Sequence, residues 1–143
     1  WKVLDSQSGD FTQAGGQQVM ESYLKSYPDQ FNVVVCQNDN EAYGAIDAMK
    51  AAGVTYGVGG DVILISFDAT KQGLTLTLNG EINCNVECNP LQAQGVADLI
   101  AKLEAGEEVP AVTYVPDSVF VAGGTESELG ITMTQEVLDG RAY

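Results

Sequence analysis

The sequence predicts an α/β fold, a parallel open sheet flanked by helices. Three observations carry that prediction. Runs of strand length recur at residues 32–36, 61–67 and 82–87, and the first of them, Asn32-Val33-Val34-Val35-Cys36, is short, apolar and β-branched, which suits a buried parallel strand. After the first of them, Ala42, Ala45, Ile46, Met49 and Ala52 recur at helical spacing. Polar residues close the first two runs, with Gln37-Asn38-Asp39-Asn40 after one and Asp68 after the next. In an open α/β sheet that end is the carboxyl edge, where ligands bind.

Taken in order, residues 1–6 read as an opening strand, followed by the turn-like Ser8-Gly9-Asp10-Phe11. Val19, Met20, Tyr23, Leu24 and Tyr27 mark one face of a helix that stops before Pro28. The strand at 32–36 then hands over to a helix that Gly53 closes. Asp39 or Asn40 can cap this helix by accepting from its free backbone N–H groups. A cap takes only one side chain, which leaves Asn38 for other work. An amide that both donates and accepts suits a hydroxyl-rich ligand.

Residues 54–60 contain three glycines and read as a loop, with no Gly-Lys-Ser/Thr to make a phosphate cradle. The strand at 61–67 ends at Asp68-Ala69-Thr70, before a helical stretch to Asn79-Gly80. After the strand at 82–87, Asn89-Pro90 starts a helix with a capping amide and a proline at the first position. Its buried face is Val96, Leu99, Ile100 and Leu103, and Gly106 closes it. Residues 112–121 read as a last strand interrupted by Pro116, hence an edge or a crossing segment. Gly123-Gly124 is a hinge-like loop, and Thr132 with Gln135 resembles a capping box for a short helix through Leu138.

At 143 residues the chain allows one ordinary domain or parts of two. Hydrophobic content of 45% supports a core, and charged content of 18% argues against disorder. Six basic residues face twenty acidic ones, a net charge of −14, which repels phosphate backbones and anionic lipid. No nucleic-acid partner is expected. Histidine is absent, which removes the commonest general base and metal ligand, and neither metal nor cofactor is expected. Of Cys36, Cys84 and Cys88 at least one must be unpaired. Four residues of strand put Cys84 and Cys88 roughly 13 Å apart, too far for a disulfide. All three read as small buried thiols. No apolar run reaches transmembrane length and no signal peptide is visible, and a start at Trp1 leaves room for a true N-terminus upstream.

With these residues in hand, the chain resembles the type I periplasmic sugar-binding proteins, the ribose-binding-like receptors of ABC importers. The shared features are Gly9-Asp10-Phe11 before a helix, Gln37-Asn38-Asp39 with Ala42-x-Gly44-Ala45, Phe67-Asp68 after an apolar strand, and Asn79-Gly80 before the next. Asn83-Cys84-Asn85-Val86-Glu87-Cys88-Asn89-Pro90 and the ending Gly140-Arg141-Ala142-Tyr143 look more like the galactofuranose-binding branch. The resemblance implies a non-catalytic receptor whose two lobes close on a monosaccharide, a pentose or hexose with furanose forms included. It implies membrane subunits of an ABC transporter as partners, and an extracytoplasmic location, periplasmic or as a membrane-anchored lipoprotein. It also implies that Asn38 and Asp68 hydrogen-bond sugar hydroxyls and that Phe11 stacks on the ring. That chemistry is sound: a carboxylate accepts from two hydroxyls, and an aromatic face covers the C–H side of a sugar. Read alone, Phe11 reads rather as a core aromatic, while for Asp68 a cap or turn residue stands level with a ligand contact. Where ribose binders carry a sugar-binding glutamine this chain has Cys88. Glu87 beside it is the candidate substitute, although strand alternation points the two opposite ways.

The resemblance covers the whole chain but only the C-terminal part, about half, of such a receptor. It implies that residues 1–88 belong to the C-terminal lobe, that 89–118 belong to the N-terminal lobe, and that 119–143 return to the C-terminal lobe. The helix face at Val96, Leu99, Ile100 and Leu103 would then lack a sheet to cover, although burying each is worth roughly 1.5–3 kcal/mol. The missing N-terminal half or a second copy is expected to supply it; the alternative is a helix folded back onto the sheet. A strand at Val3 would present an open edge. The same motifs admit the effector domain of a LacI-type transcription regulator, against which the acidic charge and residues 84–90 stand. An enzyme is not expected: Asp39 and Asp68 could be imagined as a glycosidase pair, but no nucleophile–base pairing accompanies them.

Overall fold

A computed structural model describes all of residues 1–143. Five strands form one open sheet in the order β1-β2-β3-β4-β5. They are β1 (Val33–Val35), β2 (Ile63–Asp68), β3 (Cys84–Glu87), β4 (Val119–Val121) and β5 (Ile131–Thr132). The first three pair in parallel, as the strand–helix alternation predicts. β4 runs antiparallel to β3, and β5 parallel to β4, so the sheet is mixed. The reason lies in the excursion between β3 and β4. It leaves the sheet at its carboxyl edge and re-enters there, so β4 has to run backwards.

The helices are α1 (Gln13–Ser26), α2 (Asp39–Ala52), α3 (Lys71–Leu78), α4 (Ala93–Glu104) and α5 (Gln135–Asp139). α1 packs on α2 at backbone distance: a Cβ on Gly44 would lie 2.0 Å from the Gln13 carbonyl oxygen. One core joins Met20 of α1, Ala42, Ile46 and Met49 of α2, Leu64 of β2 and Ile82. A second joins Ala69, Leu74 of α3, Phe120 of β4, Met133 and Leu138 of α5. Both lie on one face of the sheet, where the register aligns Ser66 with Asn85 and Asn85 with Phe120. On the other face Ile65, Phe67, Cys84, Val86, Val119 and Val121 are half-exposed, and no helix covers them.

Several expectations are corrected. Residues 1–6 form no strand, and Trp1 and Val3 are exposed. A strand needs a neighbour for its backbone groups, and the sheet ends at β1, which is therefore the open edge. α4 starts at Ala93 because the Asn89 side chain accepts from the Leu91 N–H in a turn of its own. Residues 112–117 form no ladder, whereas Val119–Val121 is interior, with the unforeseen β5 as the outer edge. Thr134, not Thr132, caps α5, and the Thr132 hydroxyl donates to the Thr125 carbonyl instead. The cysteines are all free, as the strand geometry predicts for Cys84 and Cys88. Cys36 is buried, but Cys88 is exposed because the chain leaves the sheet there.

α4 buries none of its residues, and Val96, Ile100 and Leu103 are more than half exposed at 52%, 51% and 56%. It does not fold back onto the sheet. No helix is long and apolar enough to cross a membrane.

The close approach of α1 and α2 has a measurable consequence. Gly44→Ala forces the helices apart and is expected to lower stability by about 1–3 kcal/mol in urea unfolding. An unchanged midpoint would contradict the packing described.

Candidate ligand-binding edge

The carboxyl edge of β1–β3 is built around the start of α2. Asn38 is extended (φ −154, ψ 165), and its Oδ1 accepts from the Glu41 N–H at 2.8 Å. It is thus the N-cap of α2, not Asp39 or Asn40. Asp39 already stands in the first turn, with its side chain turned inward, and Asn40 is exposed. The Asn38 amide also donates to the Phe11 carbonyl at 3.3 Å. An amide has two donor hydrogens and two acceptor lone pairs, so one of each remains for a ligand.

Phe11 sits at the tip of the turn before α1. Both Asp10 (φ 54) and Phe11 (φ 57) are left-handed, a conformation that persists only where neighbours impose it. The Asp10 N–H donates to Ser8 Oγ at 3.1 Å, and the Phe11 N–H to Glu41 Oε1 at 3.2 Å. The turn is pinned to α2 at its backbone while Phe11 as a whole stands 70% exposed. The core reading of Phe11 is overturned.

Asp68 ends β2 with φ 101, and Ala69 follows with φ 54. Thr70 caps α3, accepting from the Gly73 N–H at 3.2 Å, so Asp68 is a turn residue rather than the cap. Its carboxylate is half-buried. Burial, then the negative charge of Asp39, raises its pKa, while the Asp39 backbone N–H acts the other way. Asn38, Asp68 and the backbone of Phe11 therefore meet where β1 and β2 end.

Glu87 ends β3 directly beside Asp68 in the ladder, but its carboxylate is turned away from solvent, with only 6% exposure. Arg141 Nη1 lies 2.7 Å from Oε1, the Tyr143 hydroxyl donates to the same oxygen, and the Ser118 N–H donates to Oε2 at 2.9 Å. The Arg141 guanidinium is stacked 5.0 Å from the Phe120 ring centre and 4.4 Å from that of Tyr143. Burial acts to raise the Glu87 pKa, but the bonds from Tyr143, Arg141 and Ser118 outweigh it and bring it down to about 2. Burial, helped by the charges of Glu41 and Asp39, pushes the Cys36 thiol up to about 12, which leaves it protonated and unreactive.

Sequence reasoning did not single out Asn85, Arg141 and Tyr143 as partners, nor Asp39 as the acceptor of a buried hydrogen-bond network. One signal was available for Asn85: an amide between Cys84 and Val86 in a strand has to find a partner wherever its face of the sheet is buried.

A family model described as a periplasmic binding protein domain matches residues 1–108. The chain belongs to the periplasmic binding protein family. The galactofuranose-binding protein YtfQ of Escherichia coli (strain K12) is 33% identical over 126 residues, covering 82% of this chain and 39% of that protein. The ribose import binding protein RbsB of the same strain is 36% identical over 115 residues, covering 78% of this chain and 36% of that protein. A crystal structure from Mycobacterium smegmatis in complex with beta-D-fucofuranose is 45% identical with a TM-score of 0.74, covering 84% of this chain and 38% of that one. The chain thus spans well under two thirds of the length of the periplasmic binding proteins it matches.

The Glu87 cluster predicts an acid response. A carboxylate whose folded pKa is depressed to about 2 contributes stability that is present above its unfolded pKa of about 4.3 and is lost as pH falls towards the folded value. Denaturant unfolding should therefore show stability falling as the pH is lowered from about 5 to 2, and Glu87→Gln should flatten that slope. Equal slopes in the two proteins would remove the cluster as the source.

Proposed function

We propose that this chain is the C-terminal part of the substrate-binding component of an ABC sugar importer. In this reading the receptor is non-catalytic and extracytoplasmic, binds a monosaccharide between two lobes, and hands it to the transporter's membrane subunits. One observation carries the reading: an exposed aromatic ring, a capping amide with spare donor and acceptor, and a half-buried carboxylate converge on the carboxyl edge of parallel strands. Phe11 covers the C–H face of the sugar ring, Asn38 gives and takes one hydrogen bond, and Asp68 accepts from hydroxyls. The raised pKa of Asp68 suits a group whose charge is stabilised by the ligand's donors rather than by a protein cation.

Glu87 takes part in this proposal as the anchor of the edge, since its two oxygens are already held by Arg141, Tyr143 and Ser118. It secures the place where the chain passes between lobes. Residues 1–88 and 119–143 form one lobe, and 89–118 belong to the other. The bare face of α4 and the lack of any buried residue from 88 to 119 support that division. The remainder of the receptor, or a second copy of this chain, covers α4 and the uncovered sheet face. Furanose sugars stand first in the panel to be tried, because relatives were solved with beta-D-fucofuranose and with L-arabinofuranose.

Calorimetric titration of the two-lobed receptor with pentoses and hexoses, in furanose and pyranose forms, tests the reading. Asp68→Ala is expected to weaken binding by several kcal/mol, on the order of 3, because it strands buried hydroxyls. Phe11→Ala should cost about 1–3 kcal/mol through lost stacking area. Full affinity in the Asp68 variant would take that residue out of the site, and no binding across the panel would reject the function.

A further inference from the structure

We infer that Asp39 is the positioning residue of this site: its buried carboxylate ties the segments carrying Asn38 and Asp68 into one rigid edge and so sets ligand affinity without touching ligand. The inference rests on the sugar-binding reading of Asn38 and Asp68.

Asp39 is 1% exposed and accepts four hydrogen bonds. Oδ1 takes the Ser66 hydroxyl at 2.7 Å and the Asn85 amide at 2.7 Å; Oδ2 takes the Thr70 N–H at 2.8 Å and its hydroxyl at 2.7 Å. The donors come from β2, from β3 and from the cap of α3, while Asp39 itself follows Asn38 in the first turn of α2. A charge removed from water and met only by neutral donors is a demanding way to fill a core. Its geometric effect is specific. Ser66 and Thr70 lie on either side of Asp68, and both donate to this one carboxylate. Asn85, a third donor, also accepts from the Ala69 N–H at 3.1 Å. The left-handed pair Asp68–Ala69 is therefore bracketed on both sides and from the neighbouring strand, the over-determination that such backbone requires. Released from it, the pair relaxes towards ordinary φ and carries the Asp68 carboxylate away from Asn38. The fit leaves no slack, since a Cβ on Gly73 would lie 2.2 Å from Oδ2.

Because all four partners donate, Asp39→Asn sets an amide N–H₂ against a donor on whichever side it turns. Asn85→Asp sets two carboxylates against each other. The double swap Asp39→Asn with Asn85→Asp restores the match: the new amide at 39 donates to the new carboxylate at 85 and keeps its carbonyl for Thr70. Sugar affinity is measured by calorimetry in the two-lobed receptor, well below each variant's melting midpoint. The unchanged protein and Asp68→Ala serve as references. Each single change is expected to weaken binding at least about tenfold, and the swap to recover to within about threefold of the unchanged protein. Lowered melting midpoints with unchanged affinity would make Asp39 merely structural and overturn the inference. So would a folded swap no better than the single changes. Should the single changes not fold, Ser66→Ala decides, because it deletes one donor and leaves the backbone as it is. It is expected to weaken binding about threefold, and unaltered affinity overturns the inference. A reference protein that binds no sugar rejects the sugar reading itself, a different result from sugar binding that ignores Asp39.

Discussion

The carboxyl edge of this sheet depends on one buried carboxylate. Asp39 stands where β1 has just handed over to α2, and it gathers β2, β3 and the start of α3 through four short hydrogen bonds. In a low-dielectric interior each of those bonds is stronger than it would be in water, and each missing one leaves a penalty. The network therefore behaves as a unit. It holds Asp68 and Ala69 in backbone conformations that isolated residues avoid, and it fixes the first turn of α2, where Asn38 caps the helix.

A second constraint comes from what the fold leaves bare. Helices cover one face of the sheet only, and α4 projects an apolar stripe with nothing packed against it. Apolar surface of this kind is stable only when covered, and the sheet has an open edge at β1. The two places where the chain departs and returns, Glu87 and Ser118, are bonded to each other: the Glu87 N–H donates to the Ser118 carbonyl at 2.8 Å, and the Ser118 N–H to the Glu87 carboxylate at 2.9 Å. Arg141 and Tyr143 close over the same carboxylate. The excursion of residues 89–117 is thus tied together at its base, where the Asn89 N–H also donates to the Asp117 carboxylate at 2.9 Å.

Local pattern alone determined a good deal: the three parallel strands, the helices after them, the stop of α2 at Gly53 and the placing of Asn38 and Asp68 at one edge. These follow from periodicity, turn residues and chain direction, which neighbours in sequence are enough to set. Boundaries set by competition went differently. Residues 1–6 have the composition of a strand but no neighbour to pair with, and Asn89 has the chemistry of a cap but spends it on its own turn. Whether Phe11 was core or surface was likewise a tertiary matter, decided by the pinning of its backbone to Asn38 and Glu41. The same holds for the division of labour within Asn38-Asp39-Asn40. Any of the three side chains could cap a helix, and only the position of Ser66, Thr70 and Asn85 turned Asp39 inward and left the cap to Asn38. Those partners lie 27, 31 and 46 residues away, a separation at which no local pattern carries information and only the folded sheet brings donors to the acceptor.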